Sequence, residues 1–189
     1  MTLSQITADV AALLGESLVL ECETEESPFP DFTSRVRLLI PEVLSDLYLS
    51  SPKILLTGWK RLAGTLSIDT ATATATLALP DDYFMLGSIR LSGWSHSVEE
   101  ALSPGAPALA GIGSDIPGVM PDRHRPAAVE EIMAGGTRCL RLYGAADSDA
   151  IVSATYMPFP AIREDAVDVP VALYPRLISY IAKKLNDQN

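Results

Sequence analysis

The sequence predicts an α+β protein: a small helical bundle with an inserted antiparallel β-sandwich or barrel module. Apolar residues recur at helical spacing near both ends of the chain, whereas in the middle the repeat changes to alternation, as in β-strands. We therefore expect residues 1–51 and 161–189 to form the bundle and residues 52–160 to form the β module. The 189 residues, 48% of them hydrophobic, suffice for one compact domain or two small ones.

The first helix is predicted over residues 4–15. Its apolar residues follow helical spacing, Ser4 suits the N-terminal cap, and Gly15 suits the C-terminal end. Pro28 and Pro30 come soon after it, in an acidic stretch that is predicted to be a loop.

The second helix, predicted over residues 32–48, has the clearest apolar pattern in the chain. Asp31 precedes it and can cap its N-terminus. Pro41 lies inside the pattern and predicts a kink, or a break at Ile40. The apolar stripe consists of Phe32, Val36, Leu39, Ile40, Val43, Leu44 and Leu47.

The β module begins near residue 52, where the apolar repeat shortens to two. Residues 72–79, for example, alternate and are rich in threonine. Gly135 and Gly136 separate two strand-like runs and predict a hairpin. Short strands at this spacing are typical of a sandwich or a small barrel. Residues 53–57 form a short apolar run, and the predicted strands are 65–68, 72–79, 84–94, 127–133, 138–143 and 150–157.

A long loop is predicted over residues 103–126, which hold five prolines and four glycines. A loop of this length without its own secondary structure is usually functional. It carries several apolar side chains that need a cover, so we expect it to contact a neighbouring subunit or another protein. The expected interface residues are Leu109, Ile112, Ile116, Val119, Met120, Arg123 and Arg125.

The last helix is predicted over residues 171–185, with Pro170 in a favourable first-turn position and Pro175 distorting the early turns. The terminal helices are too short to be stable alone, so we expect all three helices to pack as one bundle. The side chains expected in its core are Phe32, Val36, Leu39, Ile40, Leu177 and Ile181.

The formal net charge is −10, and residues 1–31 alone contribute seven acids and no base. This lack of Lys and Arg argues against tight nucleic-acid binding. An acidic surface can still line a channel through which DNA passes, although the same residues are also typical of a solvated loop. The acids concerned are Glu21, Glu23, Glu25 and Glu26.

The residues that carry chemistry form no recognisable catalytic or metal motif. His96 and His124 have no Cys or His neighbour at metal-ligand spacing, and residues 111–115 lack the nucleophile-elbow pattern. Cys22 and Cys139 match no metal spacing and are expected to be reduced, buried thiols. We therefore expect no enzymatic activity, no bound metal and no cofactor.

Three pairs of adjacent acids, at residues 81–82, 99–100 and 130–131, invite a glycosidase or calcium interpretation. Adjacent strand residues point to opposite faces, so only one acid of each pair could share a site. Residues 147–149 are expected to form a turn rather than a cation site. Four aromatic residues in or beside strands are expected in the core: Trp59, Trp94, Tyr143 and Tyr156.

The segment Leu79-Pro80-Asp81-Asp82-Tyr83-Phe84 leads into a predicted strand, and Tyr156-Met157-Pro158-Phe159-Pro160 ends the last one before the C-terminal helix. Together with two N-terminal helices, this order of elements resembles the head–tail adaptor proteins of tailed phages, also called connector or neck-ring proteins. The family includes the tubular gatekeeper type of short-tailed phages.

The resemblance implies a structural, non-enzymatic virion protein that forms a homo-oligomeric ring, commonly of twelve copies. Such a ring joins the portal protein to tail proteins in the neck of the virion, and DNA passes through its lumen without specific binding. It implies that the acidic N-terminal stretch faces the channel and that the long loop is a protein contact. The protein would be in the host cytoplasm during assembly. No run of about 18 apolar residues occurs, so no membrane contact is expected.

An alternative function is a ligand- or carbohydrate-binding β-sandwich module of a bacterial cytosolic protein, which predicts a monomer with an exposed aromatic cleft. A second alternative, an enzyme with an unrecognised site, predicts a deep pocket around His96 or His124 with shifted pKa values.

Overall fold

A computed structural model describes residues 1–15, 31–107 and 120–187 and confirms the α+β class. The chain divides into two compact units. The helical unit comprises Met1–Gly58 and Phe159–Asn189, and the β unit comprises Trp59–Pro158.

The described elements follow one another along the chain in this order. They are α1 (Leu3–Leu14), α2 (Phe32–Ser50), β1 (Lys60–Arg61), β2 (Ser67–Asp69), β3 (Thr74–Ala78), β4 (Tyr83–Leu91), β5 (Ala101–Leu102), β6 (Ala127–Ile132), β7 (Arg138–Tyr143), β8 (Ile151–Pro158), β9 (Ile162–Arg163), β10 (Ala166–Val167) and α3 (Tyr174–Asn186).

Helix ends follow the capping chemistry of the sequence, with one shift. Asp31 caps α2 by accepting a hydrogen bond from the Ser34 backbone N–H, and Gly15 ends α1 in the left-handed conformation. Thr2, rather than the predicted Ser4, caps α1 through the backbone N–H of Gln5 at 3.2 Å. Helix α1 therefore begins at Leu3.

Pro41 does not split α2, which runs without interruption from Phe32 to Ser50, so the alternative of a break at Ile40 is wrong. A proline inside a helix costs about 3 kcal/mol. Ile40 and Val43 on either side of it are both fully buried, and their burial offsets that cost.

The three helices pack against one another, and their apolar stripes meet in one core. Tyr174 in α3 donates a hydrogen bond to Asp9 in α1 at 2.5 Å, and Lys184 donates to Glu42 in α2 at 2.6 Å. Phe32 is only half-buried, contrary to the prediction. The other predicted core residues are buried: Val36, Leu39, Ile40, Leu177 and Ile181.

The β unit contains a five-stranded sheet, ordered β2-β3-β7-β6-β5, and a three-stranded sheet, ordered β1-β8-β4. Side chains from both sheets form one apolar core, as in a sandwich, and the described strands do not close into a barrel. Strand β5 pairs with β6 in parallel, which departs from the predicted antiparallel arrangement.

Most predicted strands lie within two or three residues of the observed ones, and the hairpin at Gly135 and Gly136 is present between β6 and β7. Residues 53–57 form no strand; Lys53–Leu55 is a short 3₁₀ helix. The last helix likewise begins with a 3₁₀ turn, Val171–Leu173, just before Pro175. None of the described helices is long and apolar enough to cross a membrane.

Candidate functional site

Three of the seven predicted interface residues, Met120, Arg123 and Arg125, lie in the described part of the β unit. Met120 is partly exposed, and Arg123 and Arg125 are exposed. The rest of the predicted interface and the predicted channel-facing acids lie outside the described residues: Leu109, Ile112, Ile116, Val119, Glu21, Glu23, Glu25 and Glu26.

Asp122 organises the turn that presents these arginines. Its Oδ1 accepts hydrogen bonds from the backbone N–H groups of His124 at 2.7 Å and Arg125 at 2.9 Å. These bonds hold the pKa of Asp122 below its usual range, so the carboxylate stays ionised. The Asp122 side chain therefore fixes the backbone of the turn that carries Arg123 and His124.

Ser95 joins this turn to the loop that follows β4. Its backbone N–H donates to the Arg123 carbonyl at 2.9 Å, and its Oγ donates to the His124 carbonyl at 3.3 Å. The same Oγ lies 3.0 Å from Nδ1 of His96. Ser95 therefore contacts both histidine residues, His96 through its ring and His124 through its carbonyl. The described residues contain no group of three or more His, Cys, Asp or Glu that could hold a metal ion.

Asp149 holds the neighbouring loops together. Its carboxylate accepts hydrogen bonds from the backbone N–H groups of Gly93 and Ala146, each at 2.7 Å, and from the Ser92 hydroxyl at 3.0 Å. A Cβ at Gly93 would lie 2.6 Å from that carboxylate. Residues 147–148 form a turn closed by a hydrogen bond from the Asp149 backbone N–H to the Ala146 carbonyl at 2.9 Å, so the turn interpretation of residues 147–149 is confirmed.

The Leu79–Phe84 segment carries two side chains that contact other strands, Asp82 in the three-stranded sheet and Tyr83 in both sheets. Asp82 accepts hydrogen bonds from Lys60 in β1 at 2.5 Å and from the Tyr156 hydroxyl in β8 at 2.8 Å. Tyr83 stacks on Tyr156, with ring centroids 5.8 Å apart, and donates to Glu130 in β6 at 2.8 Å. Neighbouring residues of one segment therefore bind to both sheets.

The adjacent acids Glu130 and Glu131 point to opposite faces of β6, as predicted. Glu130 faces Tyr83 and lies 3.6 Å from Arg138, whereas Glu131 pairs with Arg141 at 3.0 Å. Each carboxylate has its own arginine, so the pair does not form a shared acid–base site.

A cavity of about 520 Å³ lies on the outer face of the five-stranded sheet. Leu140 and Leu142 of β7 point into the shared core, so the alternate side chains of that strand, Arg141 and Tyr143, point outward into the cavity. The prediction placed Trp59, Trp94, Tyr143 and Tyr156 in the core, but Trp59 is only half-buried. Trp94 and Tyr156 are buried, whereas Tyr143 lines the cavity, because its position along the strand and not its aromatic character decides which face it is on.

The helical unit exposes apolar side chains at the end where α2 and the residues before α3 meet. The Tyr48 hydroxyl donates to the Asp168 carbonyl at 3.1 Å, and the Asp168 carboxylate lies 3.3 Å from where a Cβ of Gly58 would be. Burial raises the pKa of Tyr48 to about 12. The exposed side chains of these segments, here called the apolar end, are Leu49, Ile54, Leu55 and Val171.

Sequence periodicity did not single out the apolar end, although Leu49 and Val171 lie next to predicted helix boundaries. Leu49 is 68% exposed, Ile54 91% and Val171 79%. Isolated exposed leucines are common, but several in segments that contact one another mark an interaction surface. Searches against protein-family models and against curated proteins found no match to this chain.

Proposed function

We propose that this chain is a structural subunit of the head–tail connector of a tailed phage, forming a ring between the portal protein and tail proteins. In this role it has no catalytic activity, and DNA passes through the ring without specific binding. The order of the elements and the Leu79–Phe84 segment support the proposal through their resemblance to that family.

The observation that carries the proposal is the exposure of the apolar end of the helical unit. Exposed apolar side chains cost free energy in water, and a protein partner that covers them removes that cost. A ring subunit needs two different contact faces, because each copy binds one neighbour on either side. A second exposed apolar pair, Ile132 and Met133, lies at the tip of the β6–β7 hairpin in the β unit.

The charge distribution supports the same role. Seven acids without a base in residues 1–31 disfavour adhesion to DNA, which a channel lining must avoid. In the β unit, Arg123 at the loop end is exposed and is available to pair with acidic groups of a tail or neck protein.

The experiment measures the mass of the purified protein by light scattering and images it by negative-stain microscopy, alone and mixed with a portal protein. We expect rings, commonly of twelve copies, with or without the portal. The variant Ile54→Asp/Val171→Asp puts two charges on the apolar end and is expected to remain folded as a monomer.

Ser179→Asp is the matched control for an added charge, because Ser179 is exposed on α3 of the same unit. It is expected to assemble like the wild type. A protein that stays monomeric with every portal tested, or a double variant that assembles as well as this control, would contradict the proposal.

A further inference from the structure

The cavity on the five-stranded sheet is built by the register of three strands. Thr74 of β3 pairs with Asp69 of β2 on one side and with Tyr143 of β7 on the other. Thr76 pairs with Arg141 of β7 in the next outward-facing row. Paired residues lie about 5 Å apart, so the polar side chains of these three strands lie close together on the outer face of the sheet.

One side of the cavity is formed by the Asp69 carboxylate, an ionised group that accepts hydrogen bonds. The Asp69 carboxylate accepts from the Ala71 backbone N–H at 3.0 Å and from the Thr72 hydroxyl at 2.8 Å, and Thr72 lies 2.9 Å from the Thr74 hydroxyl. The bond from Thr72 is the largest cause that lowers the pKa of Asp69. Each carboxylate oxygen retains a lone pair for a further donor.

The other side of the cavity carries further hydrogen-bonding groups, on Arg141, Thr76 and Tyr143. Arg141 uses part of its guanidinium on Glu131 at 3.0 Å, and its side chain is 46% exposed, so further N–H donors face solvent. The hydroxyls of Thr76 and Tyr143 have no hydrogen-bond partner within the described part of the chain. Within the described residues, a ligand could therefore bind these hydroxyls without replacing a hydrogen bond.

The charges of this site exclude two ligand classes. An anion that approached Arg141 would also meet the carboxylates of Asp69 and Glu131, which outnumber the guanidinium. A metal ion would find a single carboxylate in the lining, and the described residues hold no metal-binding group of three ligands. A neutral ligand rich in hydroxyl groups matches the mixture of donors and acceptors.

We propose that this cavity binds a neutral mono- or disaccharide. Sugar hydroxyls would donate to Asp69 and accept from Arg141, while the Tyr143 ring and the Met120 side chain cover the C–H face of the sugar. The volume of about 520 Å³ lies in the range of small-molecule sites, roughly 300–1,000 Å³. This binding site does not depend on the connector function.

The test is a titration of the full-length, isotope-labelled protein, followed by amide NMR shifts. The probes are D-glucose, D-galactose, L-rhamnose and N-acetyl-D-glucosamine, with inorganic phosphate as an anionic comparison. We expect at least one sugar to shift residues 69–76 and 141–143 in a saturable way, with a Kd on the order of 1 mM. Tyr143→Phe and Thr76→Val each remove one hydroxyl and should weaken binding about threefold to tenfold.

Thr137→Val is the control, because Thr137 is exposed on the same unit at the β6–β7 hairpin, outside the cavity lining. It should bind the sugar with wild-type affinity. The proposal is wrong if none of the sugars causes saturable shifts, if the shifts fall outside the lining, if both cavity variants bind like the wild type, or if phosphate alone causes the shifts.

Discussion

The Tyr83 hydroxyl donates a hydrogen bond to Oε1 of Glu130 at 2.8 Å, which joins the first residue of β4 to β6 in the other sheet. The Arg138 guanidinium lies 5.3 Å from the centre of the Tyr83 ring and donates to the Tyr83 carbonyl at 2.9 Å. Burial, and then the Glu130 charge, raise the pKa of Tyr83. The Leu79–Phe84 segment therefore has a structural role as a link between the sheets.

Replacing Tyr83 with Phe removes this cross-sheet hydrogen bond and leaves Glu130 with one partner fewer. We expect the free energy of unfolding of the β unit to fall by about 1 kcal/mol, and Tyr83→Ala to cost about 3–5 kcal/mol. Tryptophan fluorescence during urea unfolding measures this unit selectively, because both tryptophans, Trp59 and Trp94, belong to it.

The pH dependence of that loss tests the same contact. A folded-state pKa above the usual value of 10 means that the Tyr83 contribution is present below pH 10 and is lost as the pH rises above it. The stability difference between the wild type and Tyr83→Phe should therefore shrink above pH 10. A difference that stays constant there, or no destabilisation at pH 7, would contradict the assignment.

Asp82→Asn tests the hydrogen bonds that the same segment makes to the three-stranded sheet, through Lys60 and Tyr156. Hydrogen bonds from Lys60 and Tyr156 lower the pKa of Asp82, so its contribution is present above the ordinary value of 3.8 and is lost as the pH falls below it. We expect a loss of about 0.5–1 kcal/mol at pH 7, since the side chain is partly exposed, and none in strong acid. Urea unfolding at several pH values measures it. Asp81→Asn, at the exposed neighbouring position, is the control and should unfold like the wild type at pH 7.

Ile40→Asp is expected to unfold the helical unit, because an unpaired charge at a fully buried position costs several kcal/mol. Leu38→Asp is the matched control on the same helix, where the side chain is 73% exposed. Circular dichroism should show a loss of helix in the first variant and a native spectrum in the second. A folded Ile40→Asp protein would be incompatible with the packing of α2.

Gly144→Ala is expected to destabilise the β unit by two effects. Its φ of 79° is in the left-handed region, and a Cβ would lie 2.5 Å from the Asp122 carbonyl carbon. Gly136→Ala isolates the first effect, because its φ is 84° and its Cβ would meet nothing within 4 Å. We expect about 1 kcal/mol for Gly136→Ala and clearly more for Gly144→Ala by thermal unfolding. Equal losses would show that the close approach to Asp122 is unimportant.

Local patterns predicted the helices well, because a long apolar stripe identifies the buried face of α2 without knowledge of its partner. The pattern around Pro41 left a kink and a break at Ile40 open, and the structure shows that α2 is not broken there. The apolar run at residues 53–57 contains a short 3₁₀ helix, which its pattern did not indicate. The parallel pairing of β5 with β6 was not predicted, because β5 has only two residues and so gives no pattern from which a strand or its direction could be inferred.

The sequence by itself determined the buried face of each helix, apart from Phe32, the hairpin at Gly135 and Gly136, and that Glu130 and Glu131 cannot share a site. These follow from periods of 3.6 and 2 residues, which depend only on local backbone geometry. Only the tertiary structure decided that Tyr83 reaches Glu130, that Ser95 joins the loops of His96 and His124, and that Asp69 and Arg141 line one cavity. Strand order and register bring such distant residues together, and they arise from the packing of whole sheets rather than from any local pattern.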